Sequence, residues 1–570
     1  MSVETRTLRG ILPAGSPDHA YEPFDVPPGV REVRVAYTYD RSPGNALDLG
    51  LFDERGTGSG FRGWSGGART EFFVRADEAT PGYLPGPPRP GTWHIALGPY
   101  TVAPRGLSYE ITVTLTYGDP GEAVQPVYPP ERARGRGRAW YRGDLHLHSW
   151  HSDGRRTPAE IGALARAAGL DFLNSSEHNT TSAHAHWADV AGDDLLVLLG
   201  EEVTTRNGHL VALGTDPGTF VDWRFRARDD AFGRTAATIR TAGGLAVPAH
   251  PHAPCVGCAW KHGWDAADAV EVWNGPWTPD DEVTLAAWDA GLAAGTWRTG
   301  PAEAEGHPVA GPSETEARPD ADLATGAGRT DPADTAAGPN AGLGAGAWGT
   351  DDADAATGPN TGLGAGASRT DPSDTTADPN TGVGTSRTDP ATEASRTDHA
   401  DAPSRPNRAP GPVRLLPAVG GSDAHRPPDR VGLPQTVVLA DGLTRAAVLA
   451  GIRAGHCYVA ESSAVSLDFT ARAADGEAAG IGERLAVALG TTVTVRVAVT
   501  GAPRCTVRLV TDQGVLHTSP PLPVTGSGVV EWRTTPARAT YVRAEVRHEA
   551  ALGPLPGMMA AFTNPVFLGP

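Results

Sequence analysis

The sequence has 570 residues, a formal net charge of −19 at pH 7 and a pI near 5.4. A chain of this length exceeds what one hydrophobic core can organise, so we expect several domains. The acidic excess argues against a nucleic-acid partner or an anionic membrane surface, because phosphate groups need cationic partners. No stretch is long and apolar enough to span a bilayer, and the first residues lack the apolar core of a signal peptide. We therefore expect a soluble, cytoplasmic protein without a membrane partner.

The sequence has four cysteines: Cys255, Cys258, Cys457 and Cys505. They are too few for a disulfide scaffold in a chain of this size, which fits a reducing compartment. The spacing in "CVGC" is a weak signal for zinc or redox chemistry, but no second CxxC accompanies it. We interpret Cys255 and Cys258 as two loop thiols.

Residues 1–125 contain alternating apolar runs such as "VREVRVAYTY", in which Val33, Val35 and Tyr37 would share one face of a strand. Turns rich in proline and glycine separate the runs. The pattern predicts a β-sandwich-like domain. Residues 126–139 are rich in proline, glycine and arginine without periodicity, which predicts a linker.

From residue 140 to 298, apolar runs that end in polar residues alternate with helical stretches. "TPAEIGALARAAGL" predicts a helix, because Thr157 can cap it, Pro158 suits its first turn and Glu160 stands three residues after the cap. The apolar runs are "DFLNSSEHN", "DLLVLLGEEV", "GHLVALG", "GGLAVPAHPH" and "AVEVWNG". Strands that alternate with helices predict an α/β unit with a parallel sheet or barrel.

Residues 299–410 differ in composition from the rest of the chain and carry more than half of its net negative charge. They repeat loosely, as in "RTDPADTAAGPN" from Arg329 and "RTDPSDTTADPN" from Arg369. A solenoid is the alternative, but no repeat offers enough large apolar residues to form a core. We predict a disordered, acidic, low-complexity insertion.

The α/β pattern resumes over residues 411–461, as if the insertion interrupted one continuing unit. Residues 462–570 then return to strand alternation, for example in "TTVTVRVAVT" and "TYVRAEVR". This last segment predicts a C-terminal β domain.

Histidines and carboxylates follow five of the predicted strands. The carboxyl ends of parallel strands meet on one face of a sheet or barrel, where side chains distant in sequence come together. Residues two apart, such as His146 and His148, also point the same way along a strand. We therefore predict one cluster, made of His146, His148, Asp153, His178, Glu202, His250, Asp423 and His425.

Mixed imidazole and carboxylate ligands suit Zn, Mn or Fe, whereas an all-oxygen set would favour Mg or Ca. Eight ligands exceed one four-coordinate site and can serve two or three divalent ions if a carboxylate bridges, for which Glu202 is the candidate. Such ions lower the pKa of a bound water and stabilise the attacking and leaving oxygens. The expected chemistry is hydrolysis, most often of phosphate esters. The metal-bound water would be the nucleophile, and we expect no separate catalytic side chain.

Each motif alone also has a purely structural interpretation. An HxH pair is often packed or exposed without binding a metal, and "SDAH" contains residues that favour helix caps. The coincidence of five motifs at five strand ends favours the metal cluster.

Five further residues are weaker candidates for substrate contacts: Asn179, His209, His252, Asn274 and Arg426. Arg426 is favoured because a guanidinium group matches phosphate or carboxylate, although a solvated position at the rim stays open for the residues beside the ligands. His209 follows "TTRNG", which could return the strand of Glu202 as a hairpin, so His209 either lies near the metals or only packs. His184 and His186 form a second HxH that we expect at the surface, because helical spacing would not put them on one face.

The stretches "DLHLHSWHSDG", "SEHN", "GEEV", "AHP" and "GSDAH", in this order, resemble the motifs of the PHP (polymerase and histidinol phosphatase) superfamily of metal-dependent phosphoesterases. The resemblance covers residues 140–460 without the insertion and implies a distorted (β/α)7 barrel. It implies three sets of ligands: His146, His148, Glu202 and Asp423; Glu202 and His250; and Asp153, His178 and His425.

Other stretches look more like the carbaryl-hydrolase branch of that superfamily, namely the flanking β domains, "EVWNG", "AVGGSDAHRP" and the terminal "TNPVFL". "SEHN" also departs from the "TDH" that is common in the superfamily. We expect a phosphoesterase that acts on a small-molecule or nucleotide ester. A carboxyl or carbamate ester hydrolase on the same metals is one alternative. A non-catalytic binding protein on a degenerate barrel is another, against which the intact ligand positions argue.

Overall fold

The computed structural model describes residues 2–295, 415–550 and 557–570. The predicted disordered insertion, 299–410, lies outside the described residues. Within them the protein is mixed α/β and rich in strands, with four α-helices. None of these helices combines the length and the apolar character that crossing a membrane requires.

Two four-stranded antiparallel sheets form from the N-terminal strands, in the orders β1-β8-β3-β6 and β2-β7-β4-β5. The strands are β1 (Val3–Leu12), β2 (Ala20–Val26), β3 (Val30–Tyr39), β4 (Ala46–Phe52), β5 (Phe61–Gly66), β6 (Glu71–Arg75), β7 (Gly91–Thr101) and β8 (Leu107–Tyr117). Alternating residues such as Val33 and Val35 of β3 and Leu47 and Leu49 of β4 enter one shared hydrophobic core. The domain bounds derived from the sequence stay predictions.

Trp64 of β5 belongs to a different apolar cluster from this N-terminal core. A Cβ atom added at Gly50 would lie 2.5 Å from the Trp64 ring, and one at Gly98 would lie 2.7 Å from it. The glycines of β4 and β7 therefore leave the space that the indole occupies. Trp64 clusters with Trp223 and Phe232 of the central region, so the N-terminal sheets pack on that region through buried apolar side chains.

The central region contains ten further strands and the four helices. Its elements are β9 (Ala139–Asp144), α1 (Pro158–Ala167), β10 (Phe172–Ser175), β11 (Leu196–Leu199), β12 (Glu201–Thr205), β13 (Gly208–Leu213), α2 (Phe232–Thr241), β14 (Leu245–Ala249), β15 (Val270–Asn274), α3 (Pro279–Ala293), β16 (Ala418–Gly421), β17 (Gln435–Ala440), α4 (Arg445–Arg453) and β18 (Cys457–Ala460). Two short 3-10 helices, His184–Trp187 and Ala227–Asp229, lie in connections. The predicted α1 is confirmed, since Thr157 and Glu160 cap each other's backbone N–H groups.

The central strands pair in both directions. β9, β10 and β11 run parallel, and β15 and β16 form a separate parallel pair. β13 folds back antiparallel between β12 and β14, and β17 runs antiparallel to β9. The architecture is therefore mixed, where the sequence pattern predicted a parallel sheet or barrel, because a tight turn at residues 206–207 returns the chain directly after β12.

The run "DLLVLLGEEV", which the sequence predicts as one strand, forms two strands in different sheets. β11 ends at Leu199 and β12 begins at Glu201. A Cβ atom at Gly200 would lie 2.2 Å from the carbonyl oxygen of Ala212, so only glycine fits at the break. The break sends Glu202 into the sheet of β13.

The C-terminal strands form one separate sheet and also extend the central one. They are β19 (Ser466–Ala473), β20 (Ala478–Gly480), β21 (Arg484–Leu485), β22 (Val493–Thr500), β23 (Thr506–Thr511), β24 (Gly514–Thr518), β25 (Gly528–Thr534), β26 (Tyr541–Arg547), β27 (Met559–Thr563) and β28 (Val566–Leu568). β20, β19, β22 and β25 form the separate sheet, while β27 pairs with β18 and continues the central sheet through β26 to β23 and β24. Arg543 of β26 is buried and donates to Asp289 of α3 at 2.6 Å, which ties the C-terminal strands to the central region.

Cys255 and Cys258 are joined by a disulfide, with Cα atoms 5.4 Å apart. The interpretation as two free loop thiols is therefore wrong. A turn closes between them, since the N–H of Cys258 donates to the carbonyl of Cys255 at 3.2 Å, and this brings the side chains within bonding reach. Cys457 and Cys505 are buried free thiols.

Candidate metal centre

Asp144, the last residue of β9, fixes the loop that carries the first two histidines. Its buried carboxylate accepts hydrogen bonds from the backbone N–H groups of His146 at 3.3 Å, Ser422 at 2.9 Å and Gly432 at 2.8 Å. Burial raises the pKa of Asp144 to about 6, an effect that the hydrogen bonds from Ser422 oppose. One side chain thus joins the loop after β9 to the loop after β16.

A first group of potential ligands contains His146, His148, Glu202 and Asp423, with ligand atoms that all lie within 4.8 Å of one another. Nε2 of His146 is 3.4 Å from both Glu202 Oε2 and Asp423 Oδ1. Nε2 of His148 is 3.4 Å and 3.0 Å from the same two oxygens. Four atoms that share one ion through bonds of about 2.0–2.1 Å would be separated by similar distances.

A second group contains Glu202, His209 and His250. The other carboxylate oxygen of Glu202, Oε1, lies 2.9 Å from His209 Nδ1 and 3.1 Å from His250 Nε2. The two oxygens of Glu202 therefore face two separate groups, as a bridging carboxylate would.

A third group contains His148, Asp153, His178 and His425. Asp153 Oδ1 lies 3.2 Å from His425 Nε2 and 3.6 Å from His178 Nε2. All eight ligands predicted from the sequence thus fall into three adjoining groups. The structure adds His209, which the sequence left between a position near the metals and a packing role, and the hairpin of β12 and β13 brings it there.

Several buried ligand atoms have no hydrogen-bond partner within the described residues: Nε2 of His146, His148 and His209, Oε2 of Glu202 and Oδ1 of Asp423. A buried polar atom without a partner costs free energy, so native structures satisfy nearly all of them. A divalent ion would satisfy these nitrogen and oxygen atoms together. The donor set therefore fits a metal centre.

His148 and Glu202 hold the protonation states that metal binding requires. Nearby carboxylates, against the effect of burial, raise the pKa of His146 and His178, so a metal ion would displace protons from these rings. Burial, and next the charges of His425 and His178, lower the pKa of His148 to about 3, so the imidazole is neutral. Burial alone would raise the pKa of Glu202, but His178 and His146 hold it well below its ordinary value. A neutral imidazole thus lies beside an ionised carboxylate.

Backbone strain is concentrated at the same place. Asn179, His250 and Asp423 have positive φ angles of 51°, 28° and 49°, a region that non-glycine residues rarely occupy. Such conformations persist only where the surroundings hold them, which is common at functional sites. Two of the three residues are potential ligands, and these strained backbone conformations direct their side chains into the cluster.

Glu271 of β15 supports the ligands, although no sequence motif predicted this role. Its Oε1 lies 3.1 Å from His146 Nδ1, and its Oε2 accepts from the backbone N–H of His250 at 2.8 Å. A carboxylate in this position fixes the orientation of a ligating imidazole. The only signal in the sequence was the acidic residue in "EVWNG". Asn274, a predicted substrate contact, donates to Glu271 at 3.1 Å and so supports this residue.

Glu177, which precedes His178, also supports the cluster through hydrogen bonds to a neighbouring loop. It is buried and accepts from the backbone N–H of Ser149 at 3.0 Å and from the hydroxyl of Ser152 at 2.6 Å. These bonds hold the loop that carries Asp153. The glutamate in "SEHN" therefore has a structural partner in "HSWHSD".

The remaining weak candidates lie in different surroundings. Asn179 accepts from the Thr204 N–H at 2.7 Å and borders the cavity described below. His252 turns to α3, where its Nδ1 lies 3.0 Å from the Thr284 hydroxyl. Arg426 is exposed and lines a cavity of about 340 Å³ beside Asp153, together with Arg69 and Arg155.

His184 was expected at the surface, and this expectation is wrong. The residue is 1% exposed. Its Nε2 donates to the Gly200 carbonyl at 2.9 Å, while its Nδ1 accepts from the Gly218 N–H at 3.0 Å. Both ring nitrogens are satisfied by backbone groups, which explains how a histidine is buried here. His186 is exposed, as expected.

A cavity of about 430 Å³ opens beside the cluster. Asp153, His178 and His209 border it on the central side. The opposite wall comes from the N-terminal sheets and includes His19, Asp48, Trp64 and Tyr100. The N-terminal region therefore forms part of the site.

A family model described as PHP-associated matches residues 414–457. Comparison with curated proteins finds no match. Among solved structures, a two-domain protein from Bacteroides vulgatus that contains a predicted PHP-like metal-dependent phosphoesterase is 12% identical, with 78% of this chain and 100% of that chain covered and a TM-score of 0.32. An amidohydrolase from Chromobacterium violaceum with bound sulfate and no metal is 18% identical, with 26% and 83% covered and a TM-score of 0.20. TM-scores this low leave the geometry of the side chains as the basis for assigning a function.

Proposed function

We propose that this chain is a metal-dependent hydrolase of the PHP type that cleaves a phosphoester of a small molecule or nucleotide. The observation that carries this proposal is the convergence of nine histidine and carboxylate side chains, several with buried ligand atoms that lack hydrogen-bond partners within the described residues. A degenerate binding scaffold would not keep several buried donor atoms aimed at one another without hydrogen-bond partners.

The three groups would hold two or three divalent ions of Mn, Zn or Fe, a choice that fits their mixed nitrogen and oxygen donors. Ions bound there would lower the pKa of a water molecule and stabilise the negative charge that develops on the ester. Glu202 would be shared between the first two groups, whereas His148 belongs to the first and third groups and its neutral imidazole would serve an ion in one of them. Glu271 orients His146, and Asn274 in turn holds Glu271.

Hydrolysis adds the oxygen of water to phosphorus and breaks the bond to the ester oxygen, which leaves as an alcohol with a proton from that water. Arg155 and Arg426 stand beside Asp153 and carry no side-chain hydrogen bonds within the described residues, so they are free to neutralise an anionic substrate. This cationic rim favours a phosphoester over a neutral ester.

We further propose that the central region corresponds to the distorted (β/α)7 PHP barrel and that the chain belongs to the carbaryl-hydrolase-like branch. The PHP-associated match at 414–457 and the β-sheets on both sides of the central region support these finer assignments. The domain bounds 1–125, 140–298, 411–461 and 462–570 are part of the same proposal.

A carboxyl or carbamate ester is the second candidate substrate. The cavity beside the cluster is lined by Trp64, Trp223 and Phe225, which would accommodate an uncharged aromatic ester. The same metal donors would serve this reaction, since ions polarise a carbonyl as they do a phosphoryl group.

Hydrolysis of a matched p-nitrophenyl series tests the proposal: the phosphate monoester, a phosphodiester, the acetate and the methylcarbamate, each with manganese-loaded protein. His146→Ala is the control for contaminating enzymes. Turnover of phosphate esters alone, lost in the variant, would support the first candidate, and turnover of the acetate or carbamate alone would support the second. A fully metal-loaded protein that turns over none of them would contradict a hydrolase with this range of substrates.

A further inference from the structure

The wall of the cavity that comes from the N-terminal sheets carries a carboxylate, that of Asp48. Alternation along β4 sends Leu47 and Leu49 into the N-terminal core and Asp48 to the opposite face of the sheet. That face carries Trp64 and borders the cavity beside the metal cluster. Asp48 is therefore a carboxylate that the fold places at the site from outside the central region.

Aromatic rings surround the same space. The Trp64 and Trp223 rings lie 4.7 Å apart between centroids, and the His19 ring lies 6.1 Å and 5.9 Å from them. Burial, and next the charge of Arg224, lower the pKa of His19 to about 4, so this imidazole is neutral near pH 8. These rings offer faces to a planar group and no positive charge of their own.

Two other charged side chains that line the same cavity, Asp18 and Arg206, have hydrogen-bond partners. Asp18 accepts hydrogen bonds from Arg226. Arg206 donates to the Tyr100 carbonyl at 3.0 Å, and its guanidinium lies 4.2 Å from the centre of the Tyr100 ring.

Asp48, by contrast, has neither a hydrogen-bond nor an ion-pair partner among the residues that the structure describes. Burial raises its pKa to about 6, although the charges of Arg206 and His178 act in the opposite direction, so the carboxylate is ionised at pH 8 and is paired directly with neither of them. A partly buried charge without a partner is costly, and a ligand cation would offset that cost.

We propose that this wall is the subsite for the leaving group of the substrate, that it takes a planar aromatic group with a cationic or N–H-donating substituent, and that Asp48 sets this preference. The assignment as a leaving-group site rests on the proposed hydrolase function, whereas the binding preference does not. The substrate would then have two ends. Its anionic ester group would face the metal cluster and the arginine rim, and its cationic aromatic group would lie between Trp64 and Asp48.

The turnover test compares two phenyl phosphates at pH 8: one with an aminomethyl group in the para position, which is cationic, and one with a hydroxymethyl group, which is neutral and of similar size. The ratio of their kcat/KM values cancels any general loss of activity. We expect wild type to favour the cationic ester by about tenfold, as for a partly desolvated charge pair, and Asp48→Asn to bring the ratio close to one. Asp25→Asn removes a carboxylate from an exposed position on β2 of the same sheet and should leave the ratio at its wild-type value.

The binding test uses benzylamine and benzyl alcohol as the probes and isothermal titration calorimetry of the full chain as the readout. Wild type should bind benzylamine more tightly, and Asp48→Asn should lose this difference while its circular dichroism and melting temperature stay close to wild type. This preference without turnover of any ester would support the subsite and count against the hydrolase. Turnover with the same charge ratio in wild type and Asp48→Asn, or equal binding of the two probes to wild type, would overturn the subsite and leave the hydrolase standing.

Discussion

The Oε1 atom of Glu271 lies 3.1 Å from Nδ1 of His146, although the two residues are 125 positions apart in the chain. The same carboxylate accepts a hydrogen bond from the backbone of His250, so it touches residues of two different ligand groups. A residue in this position directs ligands without binding the ion itself.

Glu271→Gln should weaken metal binding by about 10- to 100-fold, because the amide orients His146 less firmly and makes its imidazole less basic. Competition with a metal-sensitive dye would measure the affinity. Glu477→Gln, at an exposed turn after β19, is the matched control and should bind metal like wild type. Wild-type affinity in Glu271→Gln would show that the contact with His146 has no role in the centre.

His209→Ala should reduce the number of bound ions by one. The second group would keep only Glu202 and His250, while the other two groups would retain all their ligands. Inductively coupled plasma mass spectrometry of the purified variant gives the count, with His517→Ala on β24 as the control. An unchanged count would mean that His209 only packs against Glu202.

Gly50→Ala should destabilise the N-terminal sheets by about 1–3 kcal/mol, because the new methyl group would collide with the Trp64 ring. Differential scanning calorimetry should show a lower melting temperature. Gly58→Ala is the control, since a Cβ atom there meets nothing within 4 Å. Equal melting temperatures in the two variants would place the Trp64 ring elsewhere.

Glu545 should contribute to stability in a way that depends on pH. Burial tends to raise its pKa, but Arg543 and Arg547 lower it to about 2, below its ordinary value of 4.5. Because the folded pKa is depressed, this contribution is present above pH 4.5 and is lost as the pH falls from 4.5 towards 2.

The melting temperature of Glu545→Gln, followed over the same acid range, checks this expectation. The variant should be less stable than wild type at pH 7, because it leaves Arg543 and Arg547 with one anionic partner fewer. The difference between the two proteins should shrink below pH 4.5. A difference that stays constant down to pH 3 would contradict the depressed pKa.

The ligands were predictable from the sequence because metal chemistry limits them to a few residue types, and these stood at the ends of apolar runs. The helix α1 was predictable for a similar reason, since Thr157 and Glu160 form a local capping pattern. Signals of this kind lie within a few residues of one another, so tertiary structure is not needed to recognise them.

Other features depend on contacts between distant segments. Glu271 gains its role only when β15 lies beside the loop after β9, and Asp48 reaches the site only because the N-terminal sheets pack on the central region. The return of β13 beside β12 also replaced the parallel pairing that alternating strands and helices predicted. Local sequence patterns do not encode these contacts, and a single sequence does not reveal which pairs of residues meet.

The metal content of the full chain, purified without chelators and measured by inductively coupled plasma mass spectrometry beside His146→Ala, decides whether the histidine and carboxylate cluster is a metal centre. We expect two or three divalent ions per wild-type chain and fewer in the variant. A folded wild-type chain that stays free of metal, even after dialysis against Mn, Zn and Fe, would contradict this expectation.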